Sequence, residues 1–151
     1  MDRRPSWDTY FLKLAHVIKE RSNCIRMNVG AVIVQGKHII ATGYNGTPAG
    51  ITNCSEGGCE RCQQRQNNEL KENERKDLCI CAHAEQNAIL QSAYNGAPTK
   101  GALLYSTVEP CLQCAKAIIN AGISRVVYEE EHHGGVGLDL LKKAQVAVTK
   151  I

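Results

Sequence analysis

The chain lacks any apolar run near the ~18 residues that a membrane-spanning helix needs, so the sequence argues against a membrane protein. It also lacks an apolar leader: Met1-Asp2-Arg3-Arg4-Pro5-Ser6-Trp7 runs into a charged amphipathic segment, which points to the cytoplasm. Aromatics are few, with one Trp, one Phe and five Tyr. A strong charge of either sign is missing too. The net charge of +3 suits an anionic small molecule but is too weak to argue for a nucleic-acid partner. There is no internal repeat and no linker. The 151 residues predict one domain over 1–151 with one core. The eight cysteines are the unusual presence. In a cytoplasmic chain they read as ligands or reduced core residues rather than disulfides.

Periodicity then orders the elements. Ser6 caps a helix predicted to about Arg21, with Trp7, Tyr10, Phe11, Leu14, Ala15 and Ile18 as one buried stripe. Val29 to Val34 is a buried strand, and Gln35-Gly36-Lys37 turns it into an antiparallel partner from His38 to about Tyr44. Residues 45–82 are polar, without a sustained apolar period, and hold Cys54, Cys59, Cys62, Cys79 and Cys81. So long a coreless insert needs an explanation. Its charged stretch from Arg61 to Lys76 predicts a solvent-facing helix. Helices follow over about 83–94, 111–121 and 138–144, and strands over about 102–106, 125–128 and 146–150, the last at an edge. The alternation implies parallel strands late in the chain. The expected fold is a three-layer α/β/α domain with a mixed five-stranded sheet.

The chemistry sits in His83-Ala84-Glu85 and Pro110-Cys111-Leu112-Gln113-Cys114, an H-x-E…P-C-x-x-C pattern. This is the signature of zinc nucleobase deaminases. It provides three ligands (His83, Cys111 and Cys114), a carboxylate that is not a ligand (Glu85), and one open coordination position where a water is acidified. Pro110 suits the first helical turn because it lacks the N–H that would be orphaned there. Cys111 and Cys114, three apart, face the same way. Both motifs lie at helix starts, whose positive ends favour thiolates. Glu85 is the proton shuttle to the ring nitrogen and the leaving amine. A C-x-x-C alone would fit a redox pair or a zinc knuckle; the joined pattern is far more specific. His16 reads as a helix-flank residue, and His132-His133 as a solvated Gly-rich loop, with a substrate rim as the alternative.

Beyond this motif, Val29-Gly30-Ala31-Val32-Ile33, Gly43-Tyr44-Asn45-Gly46-Thr47-Pro48-Ala49-Gly50, His83 to Ile89 and Thr107 to Ile118 resemble the deoxycytidylate (dCMP) deaminase family from about Trp7 to Val148. The resemblance implies hydrolysis of dCMP to dUMP for thymidylate synthesis, a homohexamer, activation by dCTP with Mg2+ and inhibition by dTTP. It implies that Asn45 contacts the nucleotide sugar. Arg26 is the candidate for the substrate phosphate, with a plain surface charge as the alternative. It further implies a second, structural zinc. The set expected is Cys24, Cys54, Cys59 and Cys79, with Cys62 able to replace Cys59 and Cys81 able to replace Cys79, for about two zincs per chain. The Gly-rich segment at Gly43, Tyr44, Asn45 and Gly46 is the expected effector site, because exposed amides in such a loop can hold phosphates. The alternatives are another cytosine or adenine deaminase, including one acting on tRNA, and a zinc-stapled binding module without activity.

Overall fold

A computed structural model describes residues 3–151. Its elements run α1 (Trp7–Lys19), β1 (Gly30–Gln35), β2 (His38–Tyr44), α2 (Glu60–Gln66), α3 (Ala84–Tyr94), β3 (Leu103–Val108), α4 (Leu112–Asn120), β4 (Arg125–Glu130), α5 (Val136–Lys143) and β5 (Ala147–Lys150). One sheet has the order β2-β1-β3-β4-β5. Strand β1 runs antiparallel to both of its neighbours, β2 and β3, whereas β3, β4 and β5 are parallel. The mixed five-stranded α/β fold is therefore as the sequence predicts, with β5 at an edge.

The period-two alternation of a strand divides the side chains between two cores. Ala31, Ile33, Leu104, Val126 and Tyr128 point to the face covered by α3, α4 and α5. Val32, Val34, Leu103, Tyr105 and Val127 point to α1. Because β1 is buried on both faces, it reads as an unbroken apolar run. Helix α3 lies directly on β2: a Cβ on Gly43 would meet the Ala84 carbonyl oxygen at 2.2 Å and the Ala88 nitrogen at 2.5 Å. Only glycine allows that approach. A Cβ on Gly137 would likewise meet the Pro110 carbonyl oxygen at 2.2 Å, so the start of α5 seats against the segment carrying Cys111.

Several predicted details change. Ser6 does cap α1, its Oγ accepting from the Thr9 amide at 3.2 Å. The helix ends at Lys19 rather than Arg21. Trp7 and Tyr10 are 51% and 42% exposed, while Leu12 is buried. The two rings lie in the first turn and pack on each other and on Phe11. The helix expected from Arg61 to Lys76 stops at Gln66. Asn68 adopts φ 61, which ends it, and the buried Arg61 draws the chain back by donating to the carbonyls of Glu72 and Glu74. Pro110 precedes the N-cap Cys111 instead of opening the helix. Among the described residues no helix is long and apolar enough to cross a membrane.

Asp8 of α1 ties its helix to the sheet. Its two oxygens accept from Arg125 at 3.1 and 2.8 Å, and the Tyr105 hydroxyl donates to it at 2.8 Å. The Arg125 hydrogen bonds hold the Asp8 carboxyl below its ordinary value. A depressed carboxylate stabilises the fold above its unfolded pKa, and that contribution disappears as the pH falls through its folded value. Asp8→Asn is expected to destabilise by about 1–2 kcal/mol at neutral pH. Denaturant titrations at a series of pH values check this: the gap between wild type and variant closes below pH ~4.

Candidate active site

The catalytic pattern is assembled by two helix starts that meet at the end of β3. His83 is the N-cap of α3 and Cys111 the N-cap of α4, with Cys114 one turn into α4. His83 Nδ1 lies 3.3 Å from Cys111 Sγ and 3.4 Å from Cys114 Sγ. A tetrahedral zinc with one nitrogen and two sulfur ligands sets such atoms about 3.6 Å apart. Donor types and spacing therefore fit zinc. The trio runs from exposed His83 through half-buried Cys111 to buried Cys114, so it is open on one side. A hydrogen bond with Cys114, then one with His83, holds the Cys111 thiol down to about 3. The Cys111 side chain raises His83 to about 9. Cys111 is thus held as a thiolate, its ligand form, whereas His83 gives up its proton when it acts as a ligand.

Glu85, in the first turn of α3, is buried and accepts from Ser106 Oγ at 2.8 Å. Burial pushes its carboxyl up, while contacts to Cys114 and Ser106 oppose the shift. His83, Glu85, Asn45, Arg26, Arg65 and His133 line one cavity of roughly 330 Å³. Asn45 is anchored, not loose: its Oδ1 accepts from Ser22 Oγ at 2.6 Å and the Val29 amide at 2.8 Å, and its Nδ2 donates to Met27 at 2.6 Å. Arg26 and Arg65 both lean on Glu72, at 3.7 and 3.9 Å.

Arg65 escaped the sequence reading, although it follows Cys62 by one helical turn and so shares its face. His132-His133 corrects it. The loop is not merely solvated: both residues line the cavity. The cause is Glu109, a buried carboxylate that accepts from the amides of His132, His133 and Gly135 at 2.7, 2.5 and 3.1 Å. Burial holds the His133 imidazole below its ordinary range. His16, by contrast, pairs with Glu129 away from this site.

The expectation of free amides in the Gly-rich segment fails at three positions. The amides of Asn45, Gly46 and Thr47 donate to Val29 O, Ala82 O and Asn23 Oδ1. The end of the β1–β2 pair, a bridge between Gly46 and Ala82 and the Asn23 side chain consume them in turn, and Gly43 serves the packing of α3. Tyr44 is 39% exposed.

The five cysteines of the insert cluster with Cys24, which precedes β1, and none of the six is in a disulfide. They fall into two groups whose sulfurs lie within 4.8 Å of one another: Cys24, Cys54, Cys62 and Cys81, and Cys59, Cys62, Cys79 and Cys81. The four expected as one set are divided: Cys24 and Cys54 belong to the first, Cys59 and Cys79 to the second. Cys62 and Cys81 belong to both.

Residues 5–130 match the family described as the cytidine and deoxycytidylate deaminase zinc-binding region. A Schizosaccharomyces pombe protein named deoxycytidylate deaminase is 45% identical over 130 residues, which are 86% of this chain and 39% of that protein. The chain thus spans less than half the length of that relative. A deoxycytidylate deaminase of Mycobacterium phage D29 is 40% identical over 132 residues, covering 85% of this chain and 98% of the phage protein. The dCMP deaminase of cyanophage S-TIM5, solved with dCMP and dUMP, superposes with a TM-score of 0.79 at 34% identity, over 99% of this chain and 100% of that one. By its matched residues and its fold, the chain belongs to the cytidine and deoxycytidylate deaminase family.

Proposed function

We propose that this chain, as one domain over 1–151 with its insert at 45–82, hydrolyses dCMP to dUMP and ammonia and so supplies dUMP for thymidylate synthesis. The observation that carries the proposal is a single cavity. It holds Glu85, fixed by Ser106, beside the open His83–Cys111–Cys114 trio, and it also holds Arg26 and Arg65. The S-TIM5 neighbour, solved with dCMP and dUMP, supports the same substrate.

His83, Cys111 and Cys114 would hold the zinc, which when bound supplies an open position that acidifies water. The residues of the chain do the rest. Glu85 takes a proton from the attacking water and delivers it to the ring nitrogen; it then takes the second proton from the hydroxyl formed on the attacked carbon and gives it to the amine, which leaves as ammonia while the carbon becomes a carbonyl. Ser106 fixes the orientation of the Glu85 carboxylate by donating to its Oε1. Asn45 meets the sugar from a position fixed by Ser22, Val29 and Met27. Arg26 and Arg65 meet the phosphate; the Arg65 Nε is buried and has no hydrogen-bond partner among the described residues. His133 closes the rim.

Regulation and assembly belong to the same proposal. dCTP with Mg2+ activates, dTTP inhibits, and the working unit is a homohexamer in the cytoplasm. The effector contacts the exposed Tyr44 and the outer turn at residues 48–50, since the inner amides are taken.

Three outcomes test the reading. Glu85→Ala is expected to lower dCMP turnover by about 10²–10⁴-fold; metal analysis should show its zinc unchanged, and activity within a few-fold of wild type would remove its role. Cys111→Ser is expected to lose catalytic zinc and activity together. Arg65→Ala is expected to raise the KM for dCMP about ten-fold or more, from the loss of a charged hydrogen bond. Turnover of deoxycytidine should hardly change. Wild-type enzyme that converts dCMP and deoxycytidine equally well would indicate a nucleoside deaminase.

A further inference from the structure

We infer that Cys24 and the five cysteines of the insert form one binuclear centre that holds two divalent cations of the zinc class, bridged by Cys62 and Cys81. The two sulfur groups are not alternatives in separate places. They share Cys62 and Cys81, as two tetrahedra share an edge. Cys59 Sγ lies 3.9 Å and Cys62 Sγ 3.8 Å from Cys79 Sγ. Zinc–sulfur bonds of about 2.3 Å in a tetrahedron require an edge of about 3.8 Å. Two such tetrahedra joined at an edge put their cations roughly 3 Å apart.

Charge and burial favour the double site over a single one. One cation with four thiolates carries −2, and two cations with six thiolates also carry −2. The second cation therefore adds no net charge to the interior, while it uses two sulfurs that a single site strands. Either stranded pair holds one fully buried sulfur, Cys54 or Cys59, beside a half-buried one, Cys24 or Cys79. Closed, all-thiolate surroundings are those of structural zinc. Arg26 and Arg65 stand beside the centre on the wall of the same cavity and oppose its charge. An iron–sulfur core would place inorganic sulfide between the metals and spread the cysteines apart, against the tight packing seen here.

The two cations have different tasks. One, with Cys24 and Cys54 as its unshared ligands, fastens the insert to the segment that precedes β1. The other, with Cys59 and Cys79, closes the insert on itself. The bridging Cys81 precedes His83 by two residues, and the bridging Cys62 precedes Arg65 by three. The thiol protons leave to solvent as the cations bind.

The test counts metal and does not depend on the deaminase reading. Zinc-loaded protein measured by native mass spectrometry is expected to carry three ions per chain, and Cys111→Ser, which removes the catalytic ion, two. Cys59→Ser keeps the other four-sulfur group whole, so it should stay folded by circular dichroism and lose one ion. With 113Cd in place of zinc, the two insert resonances should show coupling to each other through the bridging sulfurs. One ion in Cys111→Ser, no loss of an ion in Cys59→Ser, or insert resonances without mutual coupling would each overturn the binuclear centre, whatever the activity toward dCMP.

Discussion

The site depends on two helix N-termini being brought nose to nose at the end of β3. His83 and Cys111 are the caps of α3 and α4, so neither lies within the regular turns and both side chains can turn toward one point. Unsatisfied amides at both helix starts favour negative charge there. That is the sign that two thiolates and a carboxylate bring. Close packing maintains the arrangement. Gly43 lets α3 settle on β2, Gly137 lets α5 press on Pro110, and Glu109 pins the loop after β4 by three amides.

The regular part of this architecture was legible because its signals are local. An apolar run with a Gly-Lys turn marks β1 and β2, and the two motifs mark where α3 and α4 begin. The less legible parts are those governed by contacts far along the chain. Nothing near Arg61 announces that its guanidinium will reach carbonyls more than ten residues on and cut α2 short. His132-His133 becomes part of the cavity through Glu109, 23 residues earlier in the chain for the first of them. The grouping of the insert cysteines is also three-dimensional, since spacing cannot tell which four of six sulfurs come together. Trp7 and Tyr10 show a different failure: helical period identifies a stripe but not where the partner sheet ends.

The insert makes sense as a wall without an apolar core of its own. Its interior is sulfur, with Ile25 the other apolar side chain packed on it. A helix of seven residues would not stand alone in water. Here α2 is held through its first half, by Cys62 packed among the sulfurs and by Arg61 and Gln63 donating to carbonyls of the insert. Rigidity at α2 reaches the cavity through Arg65, so the same few residues give the insert its shape and the pocket its positive side.

The ladder between β1 and β3 has a consequence for how the chain assembles. Ala31 pairs with Ser106, 75 positions later in the sequence (106 − 31 = 75). The entropy of closing a loop grows with its length, and contacts this distant slow folding. By contrast, β3, α4, β4, α5 and β5 are neighbours in sequence and pair with their successors. The C-terminal parallel half can thus organise from nearby contacts, and the hairpin of β1 and β2 can form by itself. Joining them is the costly closure, and the insert lies wholly inside the loop being closed. Each link within the insert shortens the free chain still to be ordered, so an internally tied insert lowers the barrier to completing the sheet.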